Sequence, residues 1–148
     1  MALLLDAIDR KLLNILGHDS KTTLRVLSDK VGLSPSPLQA RIKRLEKNGF
    51  IQGYCARLDH HKMGLDHIAF VQVSLSDTRA GALAAFNRAV RGLSAVEQCH
   101  MIAGGFDYLL KVRTTDISAY RIELAEHISA LPHVESTSTF VSMETVIE

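Results

Sequence analysis

Residues suited to chemistry gather in two short stretches. The first is Ser34-Pro35-Ser36-Pro37-Leu38-Gln39-Ala40-Arg41-Ile42-Lys43-Arg44-Leu45-Glu46-Lys47. Wound as a helix, it places Leu38, Ile42 and Leu45 on one apolar stripe and turns Ser36, Gln39, Ala40, Lys43, Arg44 and Lys47 away from it. Lys and Arg neutralise phosphates, while Gln39 and Ser36, near the helix start, are placed to meet base edges in a major groove. Ser34 caps this helix and joins the DNA-facing set. Arg41 lies nearer the edge of the apolar stripe. Two roles are open to it: contact with DNA, or an ion pair with an acidic neighbour. A solvated charged face is the plain alternative for the whole stretch. A glycine-centred turn, a serine cap and a basic face coincide here, and together they favour double-stranded DNA as partner.

The second stretch is Gly104-Gly105-Phe106-Asp107-Tyr108. A hairpin turn explains the glycines by itself. Asp107 adds a chemical reading. Turn N–H groups can take a carboxylate and Asp107 an ammonium, which makes a clamp for a zwitterion such as an amino acid. Glycine lets the backbone approach a ligand closely, and Met101 and Tyr108 flank the turn as its apolar walls.

The elements that must carry these stretches follow from periodicity. Asp6 caps a first helix with Leu5, Ile8, Leu12, Ile15 and Leu16 inside and Gly17 at its close. Thr23 caps a second, with Leu24, Leu27 and Val31 on one stripe, and Gly32 ends it in the left-handed conformation. Pro35 and Pro37 fit the first turn of the third, which Asn48-Gly49 ends. The three make a trihelical head. Phe50–Leu58 reads as extended, a wing or a linker strand, and the turn-like Asp59–Gly64 marks a boundary, giving domains 1–58 and 59–148. Beyond it come a strand at Ile68–Leu75, a helix at Arg79–Leu93, strands at Val96–Ile102 and Asp107–Arg113, a helix at Ile117–Leu131 with Ile117, Tyr120, Leu124, Ile128 and Leu131 inside, and a strand at Val134–Met143. The β-α-β-β-α-β order predicts a ferredoxin-like antiparallel sheet with both helices on one face, and an α+β class for the chain. The other face must meet something: Ile68, Phe70 or the Thr137/Thr139/Val141 set is left uncovered, and a second subunit is the economical cover.

Bulk charge supports a basic head on a separate body. Net charge is +1, yet Met1–Tyr54 holds nine Lys/Arg against five Asp/Glu, and the remainder eight against eleven. Cys55 and Cys99 lack metal or disulfide spacing and suit a reducing cytoplasm. The opening Met-Ala-Leu-Leu-Leu is too short for a signal peptide, and no apolar run approaches the roughly 20 residues of a membrane span. His60 and His61, adjacent in an extended segment, point opposite ways. The other five histidines show no ligand spacing, so no metal, cofactor or catalytic residue is expected.

Several motifs together resemble the Lrp/AsnC family, the leucine-responsive and feast/famine transcription regulators. They are Ile8-Asp9-Arg10-Lys11-Leu12-Leu13, Val31-Gly32-Leu33-Ser34-Pro35-Ser36-Pro37, Arg41-Ile42-Lys43-Arg44-Leu45-Glu46, Gly49–Tyr54, Gly104–Lys111 and Leu131-Pro132-His133-Val134. The resemblance covers nearly the whole chain. It implies a winged helix-turn-helix head and a ferredoxin-like, RAM-type sensing body joined by a Gly53–Leu58 strand. It also implies dimers, often built into octamers, and a small effector, usually an amino acid, bound between subunits near Gly104–Asp107. In this family the last strand contributes too, which brings in Thr137, Thr139, Val141 and Ser142. Thr22 and Val26 depart from the family pattern and remove the capping box of the second helix, and Ser28 stands where the family mostly has Ala. Two other readings stand beside this one. A relative of the fold decarboxylates a haem precursor through cleft histidines, but such proteins tend to lack the basic recognition helix that this chain has. A co-regulator would bind only partner proteins.

Overall fold

Asp6 opens the chain's first helix by a reciprocal exchange. Its carboxylate accepts from the Asp9 N–H at 2.8 Å, and the Asp9 carboxylate accepts from the Asp6 N–H at 3.2 Å, which is a capping box. The computed structural model describes residues 4–147, so the first three residues of the Met-Ala-Leu-Leu-Leu start lie outside it. It divides into two compact units, Met1–Leu58 and Asp59–Glu148.

In the first unit α1 spans Ala7–His18. Gly17, expected to close this helix, instead lies within its last turn. The Asn14 carbonyl receives the His18 ring and the Ile15 carbonyl receives the Asp19 N–H, so the end is satisfied without a left-handed glycine. Helix α2, Leu24–Val31, is capped by Thr23 through a 3.4 Å bond from the Val26 N–H. Val26 has no group to return the bond, and the buried Ser28 hydroxyl finds no partner among the described residues. Gly32 ends α2 at φ 71°. Leu24, expected inside, is 39% exposed, because it begins the helix before the stripe meets its neighbours. Helix α3, Pro35–Lys47, follows. Ser34 has the extended backbone of a cap but makes no side-chain cap bond. A capping serine bonds the N–H of the second or third helical residue, and the third here is Pro37, which has none. Gly49, at φ 74°, and Phe50 return their N–H groups to Glu46 and Leu45 and end α3 in a Schellman motif. Leu12, Leu27, Leu38 and Leu45 form the buried centre, with Ile8, Val31, Ile42 and Ile51 packed around it. Residues 52–59 adopt no strand, so the expected Gly53–Leu58 strand has no ladder within its own unit. Tyr54 is fixed by its hydroxyl, which donates to Glu46 at 2.7 Å.

In the second unit, β1 (His67–Leu75), α4 (Ala80–Val90), β2 (Val96–Met101), β3 (Tyr108–Thr114), α5 (Ile117–Ile122) and β4 (Val134–Val141) follow the expected order. The sheet order is β2-β3-β1-β4, with every pairing antiparallel, which is the ferredoxin-like arrangement. Ala69, Val71, Val73 and Leu75 alternate along β1 and join Leu110 and Val112 against Phe86, Val90, Tyr120 and Ile128, so both helices cover one face. Three details depart from expectation. Ile117 is 58% exposed, since it opens α5 before that helix reaches the sheet. The helix does not stay α: Glu123–Ile128 is a π-helical turn, closed by the Ser129 N–H on the Leu124 carbonyl. Arg113, a cation at the end of β3 whose charge would suit solvent, is buried, held by Glu97 and by the Leu65 carbonyl.

Register settles which residues lie on the uncovered face. Thr137, Thr139 and Val141 pair with Val73, Val71 and Ala69 and share the helix-covered side. Phe140 pairs directly with Phe70 on the other, where the two are 55% and 37% exposed. Across that face Ile68, Phe70, Gln98 and Lys111 line an open cleft of about 420 Å³ with Ser142 and Val146.

Candidate functional site

The α3 side chains divide into two groups. Ser36, Gln39, Ala40, Lys43 and Lys47 are exposed, as is Ser34 at the helix start. Leu38 and Leu45 anchor the opposite side with no exposure. The two arginines of the helix are engaged inside the unit. Arg41 Nη1 donates to Asp6 Oδ2 at 2.5 Å and to Asp9 Oδ1 at 2.9 Å. Arg44 Nη2 donates to Asp9 Oδ2 at 2.5 Å. Of the two roles open to Arg41, the ion pair is present.

The Arg44 pair has no counterpart in the sequence reading, although its signal was there. Asp6 and Asp9 stand at capping-box spacing, and Arg41 and Arg44 stand three apart on one helical strip. The backbone N–H of Asp9 and then the Arg41 guanidinium hold Asp6 below the usual carboxylate range. The bonds to Asp6 and then Asp9 raise Arg41 further.

The Gly104–Asp107 turn joins β2 to β3. Neither glycine takes a positive φ, and a Cβ built on Gly105 meets nothing within 4 Å. Glycine is not required there by the backbone, and what it leaves is open surface. Asp107 is half-buried and already has work within its own unit. Its carboxylate accepts from the Leu75 N–H at 2.7 Å, and its own N–H donates to the Val73 carbonyl at 3.0 Å. The Leu75 N–H needs that partner because it faces the β3 side, where the ladder ends at the Val73–Tyr108 pair. Tyr108 is not a wall of an open turn. Its ring is 2% exposed and packs on Phe86 with centroids 4.3 Å apart. Met101 is exposed and Phe106 half-buried.

Within one chain the β4 residues do not close a site with this turn. Thr137 pairs with Val73 and so lies two strands from Tyr108. Val141 lies four residues further along, about 13 Å away from the turn end of the sheet. The Ser142 N–H bonds the Ile68 carbonyl at that far end. Thr139 accepts or donates a 2.5 Å bond with the Tyr120 hydroxyl.

Comparison with known proteins agrees with both halves of this geometry. Residues 5–52 match the winged helix-turn-helix DNA-binding model, and residues 68–148 match the Lrp/AsnC ligand binding domain. The chain is 56% identical over 144 residues to the proline dehydrogenase transcriptional activator of Rhizobium radiobacter, covering 97% of this chain and 92% of that one. It is 45% identical over 142 residues to the leucine-responsive regulatory protein of Escherichia coli, covering 96% and 87%. Its fold is similar to that of a transcriptional regulator of Neisseria meningitidis solved with L-Met, at TM-score 0.91 and 30% identity, covering 98% and 94%. These relatives are transcriptional regulators, not enzymes, which removes the decarboxylase reading. A basic helix-turn-helix and a ferredoxin-like ligand domain, each matched along its own length, place this chain in the Lrp/AsnC family of DNA-binding transcriptional regulators.

Proposed function

We propose that the protein reads DNA through the outer face of α3 as a two-fold dimer, and that an amino acid bound beside the Gly104–Asp107 turn adjusts that reading. Ser36 and Gln39 touch base edges, and Lys43 and Lys47 touch phosphates. The supporting observation is the division of α3 into an anchored leucine side and an exposed side that carries an amide, small residues and two lysines. The name of the 56% identical relative points to a proline dehydrogenase gene as target and makes proline the first amino acid to try. The effector pocket requires a second copy of the chain, since Gly105 opens outward and Val141 and Ser142 lie at the other end of the sheet. Higher assemblies, octamers included, follow if the same turn meets a neighbouring dimer.

Fluorescence anisotropy on DNA from upstream of a proline dehydrogenase gene tests the reading. Binding should exceed that of a scrambled duplex and respond to L-proline. The Lys43→Gln protein should bind both duplexes more weakly, with a salt slope lower by about one unit. An unchanged slope would remove α3 from the DNA.

A further inference from the structure

The carboxylate of Asp9 lies buried at the junction of α1 and α3, with a side-chain exposure of 1%. It accepts from the Asp6 N–H, from Arg41 and from Arg44. A buried carboxylate is costly unless it is fully paired, so both guanidinium groups are tied to it. We infer that Asp9 is a positioning residue for DNA recognition: it sets the roll of α3 about its own axis and withholds Arg44 from the phosphates. This rests on α3 being the helix that reads DNA.

The leucines cannot set that roll alone. Leu12, Leu27, Leu38 and Leu45 hold α3 in the unit by apolar burial, which is non-directional. The bonds to Asp9 are charge-assisted and directional. With the Arg41–Asp6 bond they link two side chains three residues apart on α3 to two acids three residues apart at the start of α1, Asp6 at its cap and Asp9 in its first turn. Such a two-by-two contact fixes both rotation and slide. A roll by a single residue position, about 100° of helix, would carry Arg44 off Asp9 and move Gln39 off any base edge it reads.

Asp9 also sorts the cations of α3. Lys43 and Lys47 stand in solvent, whereas Arg41 and Arg44 are 27% and 42% exposed and point at carboxylates. Arg44 therefore sits on the border. With Asp9 neutral it loses its carboxylate and swings outward, where phosphates are. The wild-type arrangement thus lowers general affinity for DNA and keeps the base-reading side chains in one orientation. Both effects raise the ratio of specific to non-specific binding.

The test is anisotropy across a salt series on operator and scrambled duplexes, with thermal melting alongside. Asp9→Asn preserves shape and an acceptor for the Asp6 N–H. It should tighten scrambled-duplex binding, steepen its salt slope by about one unit, and cut the specific to non-specific ratio by about tenfold, the scale of one disturbed base contact. A lower melting temperature with ratio and slope unchanged would make Asp9 structural only and overturn the inference. Arg44→Gln decides the matter even if Asp9→Asn does not fold. It should lower the ratio while leaving the salt slope intact, whereas Lys43→Gln lowers the slope by about one unit. If Arg44→Gln lowers the slope as Lys43→Gln does, Arg44 is on the phosphates and the inference falls. If Lys43→Gln changes nothing while the wild type still discriminates operator from scrambled DNA, the reading of α3 fails and takes the inference with it.

Discussion

Asp107 and Gly105 lie two residues apart and answer to different physics. The Asp107 carboxylate holds the Leu75 N–H at the point where β1 slips register, so Asp107→Ala leaves that donor unpaired. The loss should cost the ligand domain about 1–3 kcal/mol, read as a lower urea midpoint, besides any effect on the effector. Gly105→Ala adds a Cβ where nothing stands within 4 Å. It should leave stability within about 0.5 kcal/mol yet blunt the effector-induced change in DNA binding. An unchanged response in Gly105→Ala would move the effector site elsewhere. The sequence announces Asp107 as an acid beside glycines. It cannot announce the Leu75 donor, because that contact spans 32 residues and exists only once the sheet has formed. The same holds for Arg44, whose partner lies 35 residues away, whereas Gly32 and Asp6 act on their own neighbours and are legible directly.

At the level of elements, periodicity finds nearly every helix and strand but misjudges their first turns. Leu24 and Ile117 fall on the right stripe and still face solvent, because the opening residue of a helix precedes its packing surface. Leu38 falls on its stripe one turn into α3 and is fully buried. Leu38→Ala should therefore destabilise the DNA-binding unit by about 2–5 kcal/mol, while Leu24→Ala stays within about 0.5 kcal/mol. Thermal melts of the two variants side by side check the contrast, and equal losses would contradict it. Ser34 shows the same limit for caps. A serine before a helix reads as a cap, but Pro37 takes away one of the N–H groups it would bind. The π turn at Glu123–Ile128 leaves no mark that periodicity detects over so short a span.

At the scale of the whole molecule, the exposed aromatic pair is the feature that calls for a partner. Phe70 and Phe140 lie side by side on the sheet face that no helix covers, with Ile68 beside them. Residues 52–59, most of them read as extended from the sequence, likewise have no ladder in their own unit. The proposed two-fold association would resolve both, and an isologous pair of reading heads would imply a roughly palindromic operator. Light scattering at micromolar concentration should give at least twice the chain mass, and Phe70→Ser with Phe140→Ser should lower it toward one chain. A wild-type monomer would refute the dimer. The βαββαβ order was legible because each element is short and bounded by turn residues. Which sheet face stays bare was not, since Thr137, Thr139 and Val141 look as suited to it as Phe70 until pairing with β1 assigns the faces.

The π turn has a consequence for how relatives of this chain differ in length. A turn closed five residues back, as Ser129 closes on Leu124, holds one residue more than an α turn over nearly the same rise. A relative with one residue fewer between Tyr120 and Leu131 could straighten the turn into α-helix and still present both side chains to the sheet. Single-residue gaps in this part of the family should therefore collect at Glu123–Ile128, where backbone winding absorbs them, and not in the flanking strands, where one residue reverses every side chain.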